Sequence, residues 1–134
     1  MHPPTLPKEL EDLQKKIVGE VDVFKGLQAD FQKGLGVRQT LEAQLHENES
    51  VYSELSLVKD DAKVLKLVGP VLISQGLEES KQNVQKRIDY INAEVKRQDA
   101  TLKELERKQE SQREFIQKLQ QTLQQKVQAL QQPK

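Results

Sequence analysis

The sequence predicts a mainly α fold, in which two long helices pack as an antiparallel coiled coil and are joined by a β-hairpin. Two long segments repeat apolar residues at heptad spacing, which is typical of coiled-coil helices. Between them, residues 64–73 form a concentrated apolar run that a Gly-Pro pair divides. Aromatic residues make up only 4% of the chain and Trp is absent, so little apolar area is left for a globular core.

The composition also limits the possible classes of function. The 21 basic residues balance the 21 acidic ones, whereas nucleic-acid binders usually show a basic excess or patch. The absence of cysteine excludes disulfides and thiolate chemistry. No apolar run approaches the ~18 residues of a membrane span, and the N-terminus lacks a signal-peptide pattern. We therefore expect a soluble, cytoplasmic protein.

The first helix is predicted over residues 7–58, after a flexible, Pro-rich N-terminus at 1–6. Its heptad positions that face the partner helix, here called the seam, are apolar or aromatic at ten of fourteen places. Val21 and Leu35 each follow a polar seam position, which predicts that the apolar stripe drifts there by one residue. The fourteen positions are Leu10, Leu13, Ile17, Glu20, Phe24, Leu27, Phe31, Gly34, Arg38, Leu41, Leu45, Asn48, Tyr52 and Leu55.

The hairpin is predicted over residues 62–74, with Gly69-Pro70 as its turn. Both faces of the first strand are apolar, because Leu and Val residues occupy both sets of alternate positions. A two-stranded hairpin is marginal in water and leaves its edges unpaired, so this one requires further strands. We expect it to mediate assembly, the alternative being that it caps its own coil. The predicted assembly residues are Val64, Leu65, Leu67, Val68, Gly69, Pro70, Val71, Leu72 and Ile73.

The second helix is predicted over residues 76–131, and eleven of its sixteen seam positions are apolar. Folding the chain back at the hairpin pairs Glu20 with Gln112 and Arg38 with Gln98, so polar seam residues meet in two layers. The sixteen positions are Leu77, Lys81, Val84, Ile88, Ile91, Val95, Gln98, Leu102, Leu105, Gln109, Gln112, Ile116, Leu119, Leu123, Lys126 and Leu130.

The end of the coil where both termini meet is a second candidate site. Helix ends fray, so apolar side chains there are intermittently exposed and could hold a partner. The alternative is an ordinary coil terminus. The residues predicted to bind a partner there are Leu6, Leu10, Leu13, Phe115, Leu123, Val127 and Leu130. The sequence has no phosphate-binding loop, metal-ligand spacing or nucleophile–base set, so we expect no enzyme activity, cofactor or metal.

Four stretches together resemble β-type prefoldin subunits. They are RQTLEAQL at 38–45, LVGPVL at 67–72, LEE at 77–79 and NVQKRIDYI at 83–91. The resemblance covers roughly residues 10–130, and it departs from the family at Leu65, often an aromatic residue there, and at Gly76, often an acidic helix cap.

The resemblance implies a heterohexamer of two α-type and four β-type subunits, whose hairpins build an intersubunit β-barrel. It also implies that unfolded clients such as actin and tubulin are held at the coiled-coil tips and passed to the cytosolic chaperonin without ATP. A structural coiled-coil tether or cytoskeletal linker is the alternative function. A tether would not need a hairpin that is apolar on both faces.

Overall fold

The computed structural model describes residues 7–58 and 64–131. Four elements follow one another along the chain: α1 (Lys8–Ser56), β1 (Val64–Val68), β2 (Val71–Gln75) and α2 (Leu77–Gln131). The two strands form a two-stranded antiparallel sheet. The predicted fold class of two long helices and a hairpin is confirmed, whereas the intersubunit barrel stays a prediction. The predicted N-terminal segment 1–6 and residues 62–63 of the predicted hairpin lie outside the described residues.

The ends of the helices differ slightly from the predicted bounds. The carbonyl of Pro7 accepts hydrogen bonds from the N–H groups of Leu10 (2.9 Å) and Glu11 (3.1 Å), so α1 begins at the next residue. At its other end, Leu57 and Val58 donate to carbonyls three residues earlier, a tightening that closes the last turn. The second helix begins directly after Gly76, which accepts its first hydrogen bond, and two glutamates in its first turn suit the helix dipole.

Residues 7–33 and 102–131 form one compact unit of the described chain. Its buried core consists of aliphatic side chains from both helices: Leu10, Ile17, Leu102 and Ile116. Nε2 of Gln112 donates to the backbone carbonyl of Glu20 (2.9 Å) and to its carboxylate (2.6 Å). These bonds confirm the predicted pair of polar seam residues and give the Glu20 carboxylate a donor within the seam.

Residues 34–101 form the second compact unit, and its core is built around Val84, Ile88 and Ile91. Arg38 and Gln98, predicted to meet in the second polar layer, take different hydrogen-bond partners. Nε of Arg38 instead donates to Oδ1 of Asp99 (2.5 Å), and its Nη1 bonds Glu42, because a guanidinium finds stronger acceptors in carboxylates than in an amide. These bonds, led by the one to Asp99, raise the pKa of Arg38.

Gln98 finds its partner on the backbone of the first helix. Its Nε2 donates to the carbonyl of Gly34 (3.1 Å), and Gly34 itself is buried. Because this glycine has no side chain, a long amide side chain can reach its backbone. Gly34 lies on the packed face, whereas the side chain of Leu35 is 39% exposed. The predicted drift of the apolar stripe by one residue to Leu35 is therefore wrong. The predicted drift at Val21 agrees with its half-buried side chain.

The heptad repeat otherwise identifies the packed faces well. All fourteen seam positions of α1 are buried or half-buried. The same holds for the seam of α2, except at Leu130 near its end. Packing along such a stripe, more than intrinsic helix propensity, stabilises helices that contain several glycines.

Candidate functional site

The turn of the hairpin explains the Gly-Pro pair. Val68 pairs with Val71, so only Gly69 and Pro70 separate the two strands. Gly69 has a φ of 58°, a conformation that residues with a Cβ avoid, and the proline ring fixes φ near −65°. Positive φ followed by negative φ is the pattern of a type II′ turn, whose twist suits a two-residue hairpin. Pro70 lies in the turn, where its missing N–H removes no ladder bond.

The register decides which side chains share a face of the hairpin. Leu67 lies opposite Leu72, and Leu65 lies opposite Ser74, on one face. The other face carries Val64, Val68 and Val71, as the alternation predicts, and also Lys66, the only charged residue among the strand positions.

Both faces of the hairpin are open in the single chain. Leu67 is 66% exposed and Leu72 is 59% exposed, although each is a large apolar side chain. Leu65, Val68 and Val71 are also about half exposed. The chain's own helices therefore leave these side chains uncovered, which argues against the hairpin being a cap for its own coil.

The edges of the hairpin are a further binding surface. In a two-residue hairpin the pair beside the turn exchanges both hydrogen bonds, and the pairs alternate from there. The N–H and C=O groups of Leu65, Leu67, Leu72 and Ser74 consequently point away from the partner strand. Such outward rows are templates for additional strands.

A groove beside β1 was not found by sequence reasoning. Its volume is about 260 Å³, and it lies between the strand and the adjoining turns of both helices. Val51, Leu55 and Val84 form an apolar wall, while Lys66 and Arg87 bring two positive charges. Val51 directly precedes a seam position and is 43% exposed, and this off-seam apolar residue was the available signal in the sequence.

The tip, defined here as residues 7–13 and 123–131, contains most of the predicted client-binding residues. Leu10 is only 2% exposed, whereas Leu130 is 60% exposed, and both line a groove of about 230 Å³. Leu13, Leu123 and Val127 are half-buried. An ion pair between Glu9 and Lys126 lines the same groove. Leu6 lies outside the described residues.

Phe115 is not brought into the tip groove. Its ring lies under the ammonium group of Lys16, with Nζ 5.6 Å from the ring centroid. A separate groove of about 260 Å³ contains Val21, Phe24 and Ile116, and the guanidinium of Arg113 lies 6.0 Å from the ring of Phe24. The attraction between each cation and the ring beneath it is favourable. The two cations also make this part of the coil more polar than its aromatic content suggests.

The described ranges contain neither a metal-binding cluster nor a membrane-spanning helix. Residues 7–58 and 64–131 contain no group of three or more His, Cys, Asp or Glu side chains that could hold a metal ion. No helix in this part of the chain is both long enough and apolar enough to cross a membrane.

Comparisons with known proteins agree with this architecture. A family model described as "Prefoldin subunit" matches residues 18–133. The chain is 49% identical over 114 residues to prefoldin subunit 6 of Mus musculus, which covers 85% of this chain and 90% of that protein. It is 47% identical over 115 residues to prefoldin subunit 6 of Arabidopsis thaliana, covering 86% and 89%.

A solved structure shares the fold. It is the crystal structure of the prefoldin beta subunit from Thermococcus strain KS-1, with a TM-score of 0.67 and 18% sequence identity. The match covers 85% of this chain and 94% of that one.

Proposed function

The chain belongs to the prefoldin family, and from this premise we propose how its two surfaces divide the work of a co-chaperone subunit. The predicted resemblance to β-type prefoldin subunits and the predicted co-chaperone function are confirmed by the family match and by the subunit 6 relatives. The alternative of a coiled-coil tether is not favoured. Membership of this family implies assembly with other prefoldin subunits.

The hairpin is the proposed assembly element. We propose that it joins the hairpins of neighbouring subunits in a β-barrel, within a heterohexamer of two α-type and four β-type subunits. The observation that carries this proposal is the exposure of large apolar side chains on both faces of the hairpin. Strand pairing would satisfy the outward backbone groups, and burial in a barrel would remove the apolar faces from water.

The tip is the proposed client-binding surface. Leu130 offers an exposed apolar contact beside the Leu10 groove, and the last turns of both helices can fray to expose more. Several weak apolar tips in one complex would hold an unfolded chain by avidity, and each contact could still release quickly. We propose actin and tubulin as clients and the cytosolic chaperonin as the acceptor, with transfer in the cytosol and without ATP.

Acidic substitutions in the hairpin test the assembly proposal. Leu67 and Leu72 face each other across the two strands, so Leu67→Asp or Leu72→Asp would bury a carboxylate without a partner in the barrel. We expect co-assembly with other prefoldin subunits to be lost in native mass measurements, while circular dichroism shows unchanged helicity. Val18→Asp is the matched control, because Val18 is equally exposed but lies on α1. Normal co-assembly of the hairpin variants would contradict the barrel.

A further inference from the structure

The groove beside β1 is open to a partner. Three consecutive residues of the strand line it, Val64, Leu65 and Lys66, although alternate side chains point to opposite faces. Because the groove touches residues from both faces of β1, it borders the edge of this strand. Opposite this edge lies the apolar wall of Val51, Leu55 and Val84.

The groove is also positively charged. The other arginines of α2 each pair with a glutamate three residues earlier: Arg97 with Glu94, Arg107 with Glu104 and Arg113 with Glu110. Arg87 has Val84 at that position.

Lys66 adds a second positive charge to the same groove, and none of the described residues that line it is acidic. Within residues 7–58 and 64–131, neither Lys66 nor Arg87 forms an ion pair. Two like charges beside an apolar wall favour a ligand that carries a carboxylate together with apolar side chains.

We propose that the groove receives an extended segment of a neighbouring prefoldin subunit, which pairs with the edge of β1 and inserts a carboxylate between Lys66 and Arg87. This inference rests on the proposed assembly function and specifies the chemistry of the neighbour. Strand pairing supplies backbone contacts that do not depend on the partner's sequence. The wall of Val51, Leu55 and Val84 receives apolar side chains of the partner. The two cations select a partner with an acidic side chain.

A second copy of this chain does not meet that requirement. Its own hairpin, residues 64–75, contains no Asp or Glu and carries Lys66. Pairing of two such hairpins at the groove would bring Lys66 of one chain towards Arg87 and Lys66 of the other. Like charges so close disfavour self-association, so the groove favours a different subunit over a copy.

Charge reversal tests this proposal in the full chain. The double variant Lys66→Glu/Arg87→Glu is mixed with candidate α-type and β-type prefoldin subunits one at a time, and complex formation is measured by native mass and by titration. Both side chains are exposed, so the fold should persist, which circular dichroism checks. We expect binding to the neighbour to weaken by about tenfold or more. Lys86→Glu, on the adjacent residue outside the groove, is the matched control and should bind as the wild type does.

Rescue identifies the partner's carboxylate. Each Asp and Glu of the neighbour's hairpin is changed to Lys in turn, and one of these changes should restore binding to the double variant. Equal binding by the double variant and the wild type would overturn the inference, as would an equal loss in Lys86→Glu or a failure of every rescue. If the wild type self-associates and Arg87→Glu abolishes that self-association, a second copy of this chain is the occupant of the groove. This outcome would also overturn the inference. A wild-type chain that joins no prefoldin subunit would contradict the proposed function itself.

Discussion

Individual residues set the geometry of the hairpin. The turn has only two residues, and the positive φ of Gly69 is the one left-handed backbone conformation in the described chain. An added Cβ would meet no neighbouring atom within 4 Å, so any cost of substitution comes from the backbone and not from a clash. Pro70 contributes differently, since its ring restricts φ in the unfolded chain as well as in the turn.

Gly69→Ala should therefore destabilise the hairpin by about 1–3 kcal/mol, the cost of holding an L-residue in a backbone conformation with positive φ. Hydrogen exchange of the amides in β1 and β2 measures this cost as faster opening. Pro70→Ala is the matched control at the neighbouring position and should cost less than about 1 kcal/mol. Equal effects of the two substitutions would mean that the backbone conformation of Gly69 is not what limits the turn.

At the scale of the elements, the heptad repeat predicted nearly all of the packing between the helices. Its success follows from periodicity alone, because a stripe of apolar residues must face a partner helix. The partners of polar residues were harder to predict. Gln112 does bond Glu20, but Arg38 prefers Asp99, which lies next to the seam and not on it. A long side chain can reach several hydrogen-bond acceptors, and heptad spacing does not predict which of them it bonds.

The groove beside β1 illustrates a second limit of sequence reasoning. Its lining comes from α1, β1 and α2, so it exists only when three separate segments are brought together. The apolar hairpin itself was predictable from alternation and from its Gly-Pro turn. The charge of the groove was not predictable from the sequence. It depends on the fold bringing Arg87 close to Lys66, and on Arg87 lacking the glutamate three residues earlier that pairs with each of the other arginines of α2.

The bond between Glu20 and Gln112 gives a prediction for helix pairing. Gln112→Leu would leave the half-buried Glu20 carboxylate without its donor, and we expect a loss of about 1 kcal/mol in urea unfolding. The double variant Glu20→Leu/Gln112→Leu should regain or exceed the stability of the wild type, since apolar residues at both positions leave no polar group unsatisfied.

Gln109→Leu, at the preceding seam position of the same helix, controls for the general effect of adding an apolar seam residue. If Gln112→Leu is as stable as this control, the polar layer does not contribute to stability. A double variant that is less stable than Gln112→Leu would contradict the expected compensation.

For the whole molecule, the proposed function assigns assembly and client binding to different parts of the chain. The hairpin lies within the compact unit of residues 34–101, and the tip belongs to the other unit. Removing residues 1–13 and 120–134 leaves the unit of residues 34–101 intact, so the truncated chain should still join other prefoldin subunits. It should lose apolar contacts for clients, and because several tips act together by avidity, the complex should suppress client aggregation only in part.

Light scattering of denatured actin diluted into the assembled complex measures this loss, and native mass checks assembly in parallel. Leu130→Ser refines the test, because this exposed side chain contributes little to the coil and its removal should weaken suppression with little change in stability. Gln128→Ser, two residues away and also exposed, is the matched control and should behave as the wild type does. Full suppression by the truncated complex would exclude the tip and shift client binding to the groove of Val21, Phe24 and Ile116, where apolar surface remains after the truncation.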